Sequence, residues 1–249
     1  MWKFSEEYNN SMDTLLKSYS YSKFPMEQFM YQNTKVNYYD IISTSTSNVK
    51  FGKFKQSSSL SIDRYIIIIE DIYQDLKAPY HLLDNPLIGT MRIWLHPLVN
   101  NDFRRKHHAI KQEVYEFSAS KRGLENYIEF IKDAYENYLF PEIDKYNDLK
   151  VIDGIINANV KWDTNNLLNM PYPNHRYQRL IIAKLCNNSL YEEIYLNQIQ
   201  SWENWFETGE SYLTASEEQQ MQWRKNYEAY AILYQRLKDV APLQDTRLY

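Results

Sequence analysis

One stretch limits the folds open to this chain more than any other: Arg64 to Asp71, RYIIIIED, the only uninterrupted apolar run of its kind, with four isoleucines after a tyrosine. β-Branched and aromatic side chains suit a pleated surface covered on both faces. The run therefore predicts the middle strand of a sheet, with the helices of the second half packed against it. At 249 residues, 44% of them apolar, the chain can bury a large core, so a folded rather than a disordered chain is expected.

Around that run the texture changes along the chain. Phe4, Tyr8, Met12, Leu15, Leu16 and Tyr19 recur at helical spacing, with Glu6 and Glu7 in the first turn where the helix dipole favours them. From about Phe24 the period shortens. MEQFMYQ, VNYYDIISTST, NVKFGKFK and LSIDRYIIIIED read as strands of an antiparallel meander, with turn residues at Ser47 and Asn48 and a loop tip at 57–59. In KAPYHLLDNPL, Pro79 and Pro86 disfavour both regular helix and central strand. LIGTMRIWLHP and QEVYEF, the latter at 112–117, supply the last strands.

Beyond residue 117 the pattern is helical. Ser118 or Ser120 can cap a helix that carries Leu124, Tyr127, Ile128, Ile131, Ala134, Tyr135 and Tyr138 on one face before Pro141. A shorter helix is predicted over 147–158, an irregular connection over WDTNNLLNMPYPNHR, and a buried helix through Tyr177, Leu180, Ile181, Ala183 and Leu185. Ser189 with Glu192, and Thr214 with Glu217, match capping boxes that open long helices over 190–208 and 215–240, and Gly209 sits where a left-handed C-terminal residue would. The aromatic faces of these two helices predict an antiparallel hairpin. Strands first and helices afterwards is the α+β pattern. The expected fold is a mostly antiparallel sheet of five or six strands within 1–117, packed against a helical portion at 118–249, in one continuous domain.

The single Cys186 excludes an intramolecular disulfide, the start MWKFSEEYNN lacks the apolar core of a signal peptide, and no segment approaches the roughly 20 apolar residues that span a bilayer. A soluble cytoplasmic protein without membrane contact is expected. Five glycines argue against nucleotide-cradling loops, while the 23 tyrosines, with frequent Asn, Ile and Lys, match the codons of an AT-rich genome.

The common signatures for phosphate, dinucleotide, esterase, zincin and thiol-redox chemistry are absent, so the reading leans away from an enzyme. His107 and His108, followed by Glu113, come nearest to a metal cluster, but adjacent side chains diverge and spacing sets no third ligand. Neither metal nor cofactor is expected. His81 with Asp84 reads as a capped turn, and Cys186 as a small core residue.

Net charge is only −4, so local charge is the more informative quantity. Arg104, Arg105, Lys106, His107 and Lys111 form a basic cluster able to contact an anion or nucleic acid, or else a solvated loop between two strands. The opposite feature is sharper. From Ser189 to Gln220 there is no Lys or Arg, while Glu192, Glu193, Glu203, Glu207, Glu210, Glu217 and Glu218 contribute seven negative charges. Trp202, Glu203, Trp205, Phe206, Glu207 and Glu210 are the candidate partner-binding set, in which carboxylates steer a basic protein and an aromatic anchor adds affinity.

In layout, a meander followed by VYEFSASKRGLENYIEFI and NYLFPEIDKYNDLKVID, the chain resembles uncharacterised bacterial α+β domains found near polymorphic-toxin loci, over residues 12–160. That resemblance transfers no residue. It implies a non-catalytic, immunity- or antitoxin-like protein that occludes a basic partner. The competing readings are an enzyme of unfamiliar signature around His81, His96, Arg104 or His107, and a defence or regulatory component that binds nucleic acid through 104–122. Sequence leaves open whether the aromatic helices pack internally or across a homo-oligomer.

Overall fold

The computed structural model describes residues 4–23, 30–43, 52–57, 60–80, 90–95, 97–111, 114–161 and 175–249. The expectations for 24–29, Ser47, Asn48, Ser58, Ser59, His81, Asp84, Pro86, His96, Glu113 and 162–174 lie outside these residues, as does the side chain of Lys111. Residues 1–64 with 92–145 form one compact unit and residues 65–91 with 146–249 another. Residues 118–145 of the expected helical portion thus belong with the strands.

In the first unit, α1 (Phe4–Ser18) buries Tyr8, Met12 and Leu16 on one stripe, as their spacing requires. β1 (Ser22–Lys23), β2 (Met30–Thr34) and β3 (Tyr38–Ser43) form an antiparallel meander. The next strand, β4 (Lys53–Ser57), leaves it. β5 (Ser61–Ile66) and β6 (Met91–Trp94) complete a five-stranded sheet in the order β1-β2-β3-β5-β6. β4 instead pairs antiparallel with β8 (Val114–Ser118), which also pairs with β7 (Ala109–Lys111), making a second sheet of three strands.

The isoleucine run is where sequence and structure part. β5 is buried at every position but ends at Ile66, and Ile67, Ile68 and Ile69 open a helix, α2 (Ile67–Tyr80). The quartet is therefore divided between strand and helix, and is not the single middle strand it predicted. A short apolar run is compatible with either element, and period cannot separate them. What decides is the continuation: Ile69 and Tyr73, four residues apart, are both buried, and Glu70 in the first turn accepts a 2.5 Å hydrogen bond from Thr90 Oγ1. Tertiary burial outweighs the few tenths of a kcal/mol by which each isoleucine disfavours helix. The helix also passes Pro79, whose missing N–H falls in the last turn, where one lost bond costs least.

β5 carries opposed ion pairs on successive residues, which point to opposite faces of the sheet. Arg64 donates from Nε to Asp40 Oδ1 at 2.8 Å and from Nη2 to Oδ2 at 2.9 Å, reaches the Ile143 carbonyl at 3.2 Å, and lies 4.1 Å over the Tyr38 ring. Asp63 accepts two bonds from Arg92 of the neighbouring β6. Charged residues thus lock β3, β5 and β6 into register, with Asp40, Asp63 and Arg64 buried and Arg92 half-buried.

α3 (Asn101–Lys106), capped by Asn100 Oδ1, occupies the basic stretch that sequence reads as a loop. α4 (Lys121–Ala134) is capped by Ser120, whose Oγ accepts from Gly123 N–H at 3.1 Å. Its face meets the smaller sheet in an aromatic core, where neighbouring rings of Phe54, Phe117, Tyr127 and Phe130 have centroids 5.2–6.2 Å apart. The helix does not stop before Pro141. A π-helical turn at Tyr135–Leu139 carries it into α5 (Phe140–Ile143), and that wider turn absorbs the hydrogen bond proline cannot make.

In the second unit, α6 (Leu149–Ile156) precedes α7 (His175–Leu185), the buried helix that its apolar run predicts: Leu180, Ile181, Ile182, Ala183 and Leu185 are fully enclosed, because α2, α6, α8 (Tyr191–Thr208) and α10 (Glu217–Leu237) all pack on it. The expected caps are corrected. Asn188 Oδ1, not Ser189, accepts from the Leu190 N–H ahead of α8, and the capping box of α10 is Ser216 with Gln219. Thr214 instead donates to the Glu210 carbonyl, since residues 210–213 form their own turn of helix, α9 (Glu210–Leu213). Gly209 has extended backbone (φ −74°) rather than a left-handed one; it is needed because a Cβ there would strike the Trp205 indole.

Candidate functional site

α8 and α10 run antiparallel, and their seam is aromatic. Tyr195 stacks on Tyr234 at 3.7 Å, Trp202 meets Tyr230 edge-on at 5.2 Å, and Trp205 meets Trp223 at 4.8 Å, so residues late in α8 face residues early in α10. Trp202 is buried in this seam, with the Arg176 guanidinium 5.0 Å over its ring. It is a structural pillar of the hairpin. Trp205 and Phe206 sit nearer the end, half-buried, where α9 folds back on them: Trp205 Nε1 donates to Ser211 Oγ at 3.1 Å, and Phe206 and Tyr212 lie 4.8 Å apart beneath Arg224.

The carboxylates separate along the helix in the same way. Glu192 and Glu203 accept from the hydroxyls of Tyr234 and Tyr227 and belong to the seam. The tyrosines register that charge: the Glu192 hydrogen bond, with burial, pushes Tyr234 up to about 12, and burial followed by the Glu203 bond raises Tyr227. Glu207, Glu210, Glu217 and Glu218 stand exposed around the α8–α9–α10 turn. Leu213 is 57% and Met221 54% exposed in that stretch, beside half-buried Trp223. These three apolar residues complete the candidate surface and were missed from sequence. Charge marks the region, but which apolar residues remain uncovered depends on how α9 turns.

The basic cluster is largely neutralised by its own neighbours. Arg105 pairs with Asp102 at 2.5 Å, and Lys106 with Asp133 at 2.8 Å and Glu129 at 3.5 Å. His107 is buried against Phe103 and Phe130, with Nε2 2.8 Å from Asp133 Oδ2. Arg104 is half-buried and reaches Asn101 at 3.4 Å. Burial alone would raise Asp133; hydrogen bonds from Lys106, His107 and Asn137 outweigh it and hold the carboxyl at about 2. Three of the five residues expected to contact an anion, Arg105, Lys106 and His107, are thus occupied in fastening α3 to α4 or within α3, while the buried Nε of Arg104 has no hydrogen-bond partner among the described residues. Cys186 is buried and its thiol is pushed up to about 12, mainly by burial, which removes the thiolate a nucleophile needs.

Among the described residues no group of three or more His, Cys, Asp or Glu is placed to hold a metal ion, and no helix is long and apolar enough to cross a membrane. Comparison of the chain with protein-family models, curated proteins and solved structures returned no match.

Proposed function

We propose that this protein is a non-catalytic binding module, of immunity- or antitoxin-like kind, that covers the working surface of a basic protein with the end of its α8–α9–α10 hairpin. The observation that carries this reading is the exposure of Leu213 and Met221 in a stretch bearing four solvent-facing carboxylates and no Lys or Arg before Arg224. Apolar side chains at the centre of an interface supply affinity, and a charged rim supplies orientation and speed of encounter. Trp205, Phe206 and Trp223 lie half-covered beneath, a rigid aromatic base of the sort that binding energy concentrates on.

The test is capture on immobilised full-length protein from the cells that carry the gene, with the wild type beside a Glu207→Lys, Glu210→Lys, Leu213→Ser variant. Because all three side chains are exposed, melting should be unchanged while retention of a basic partner drops by tenfold or more, about 1.4 kcal/mol. Equal capture by the folded variant would remove the hairpin end from the proposal. Failure of the wild type to retain any protein with a basic surface would remove the function.

A further inference from the structure

A different face of α8 lines a cavity of about 440 Å3, within the roughly 300–1,000 Å3 typical of small-ligand clefts. Lys161, following α6, and Arg176, in the first turn of α7, contribute its cations, and Asn197, Gln200, Ser201 and Asn204 of α8 contribute amides and a hydroxyl. Among the described residues no carboxylate lines it, on a helix whose other faces carry Glu192, Glu193, Glu203 and Glu207.

We propose that this cavity binds a phosphate ester of a small polyhydroxylated molecule, with the phosphate on Lys161 and Arg176 and the remainder on the amides of Asn197, Gln200 and Asn204. Two side-chain cations with no carboxylate partner among the described residues match a group that carries nearly two negative charges at neutral pH. Most other cations discussed above, Arg64, Arg92, Arg105 and Lys106, are paired with acids. Arg176 is also held in place. Its guanidinium lies 5.0 Å over the ring of buried Trp202, so its planar fork of donors is fixed before a ligand arrives and little side-chain entropy is lost on binding. Amides of Asn and Gln offer donors and acceptors together, which suits hydroxyls and ring nitrogens better than it suits a second anionic group. The docking surface plays no part in this site.

Isothermal titration of the full-length protein with ribose 5-phosphate and adenosine monophosphate, against ribose and adenosine, tests the assignment. Saturable binding of at least one phosphorylated probe is expected, with none by its unphosphorylated counterpart. Lys161→Gln should weaken it about tenfold, the loss of one charge-assisted contact, at unchanged melting temperature. Arg176→Gln should act in the same direction, but it also uncovers Trp202, so the exposed Lys161 is the decisive position. Absence of binding by both phosphorylated probes, equal binding of ester and parent compound, or undiminished affinity in Lys161→Gln would each overturn the proposal.

Discussion

The Arg64–Asp40 pair should behave as a structural lock whose halves are indispensable singly and replaceable together. Arg64 is 1% exposed, and its guanidinium has committed donors to both Asp40 oxygens and to the Ile143 carbonyl. Asp40→Asn leaves one acceptor oxygen but removes the opposite charge that two guanidinium donors bond, on a side chain that water cannot reach. Such an uncompensated buried charge costs about 3–5 kcal/mol, a large share of the 5–15 kcal/mol that stabilises a typical domain. Desolvation raises the Asp40 carboxyl, whereas at Arg64 desolvation is outweighed by the bond and charge of Asp40, which raise the guanidinium, so the two shifts oppose one another, and buried ion pairs of this kind are replaceable by apolar residues at little net cost. The double variant Asp40→Leu, Arg64→Met should therefore lie within about 2 kcal/mol of the wild type, the residual reflecting the lost contact with Tyr38. Urea unfolding at constant slope measures all four corners of the cycle. A loss below about 1 kcal/mol in Asp40→Asn, or a double variant as weak as the sum of the singles, would show that the arginine is solvated or otherwise paired, and the lock argument would fail.

Other outcomes follow from single positions. Gly123→Ala should destabilise by about 1–3 kcal/mol although alanine favours helix, because the new methyl would run into the Ser118 carbonyl, whereas Gly154→Ala, with open space around it, should stabilise by about 0.5–1 kcal/mol; thermal melting of both variants separates propensity from packing. Asp133 titrates at about 2 in the folded chain, below its ordinary value of 3.8, so its contribution is present above pH 4 and is lost as pH falls toward 2. Asp133→Asn should remove that part of the acid limb, about 1 kcal/mol after solvent screening, and an unchanged difference in unfolding free energy between pH 5 and pH 2 would contradict it.

Much of the fold is legible in residue spacing. α1, α4, α6, α7 and the α8–α10 hairpin each announce themselves by a periodic apolar face, and the burial of Tyr8, Met12 and Leu16, or of Leu180 and Ile181, follows that spacing. What spacing does not carry is competition between partners. The 53–57 strand reads as the next turn of the meander, yet β4 pairs with β8 in another sheet, where Phe54 packs against the rings of Phe117, Tyr127 and Phe4. The isoleucines of 66–69 likewise satisfy strand and helix alike until Thr90, Gln178 and Tyr73 are in place around Glu70 and Ile69.

The candidate site divides along the same physical line. Formal charge is a property of the residue itself, so a 32-residue interval without a cation is visible before any fold is known. Whether a given carboxylate or aromatic is available to a partner is a property of its neighbours. Glu203 is drawn into the seam by Tyr227 and Trp202 by Tyr230, whereas Glu207 and Glu210 stay in solvent. The same helix then carries two features that sequence averages together: its acidic end presents charge to solvent, while Asn197, Gln200 and Asn204 line a cleft completed by cations from Lys161 and Arg176, residues 21 or more positions away from all three. The interval's net charge hides the second feature because the compensating cations arrive through the fold.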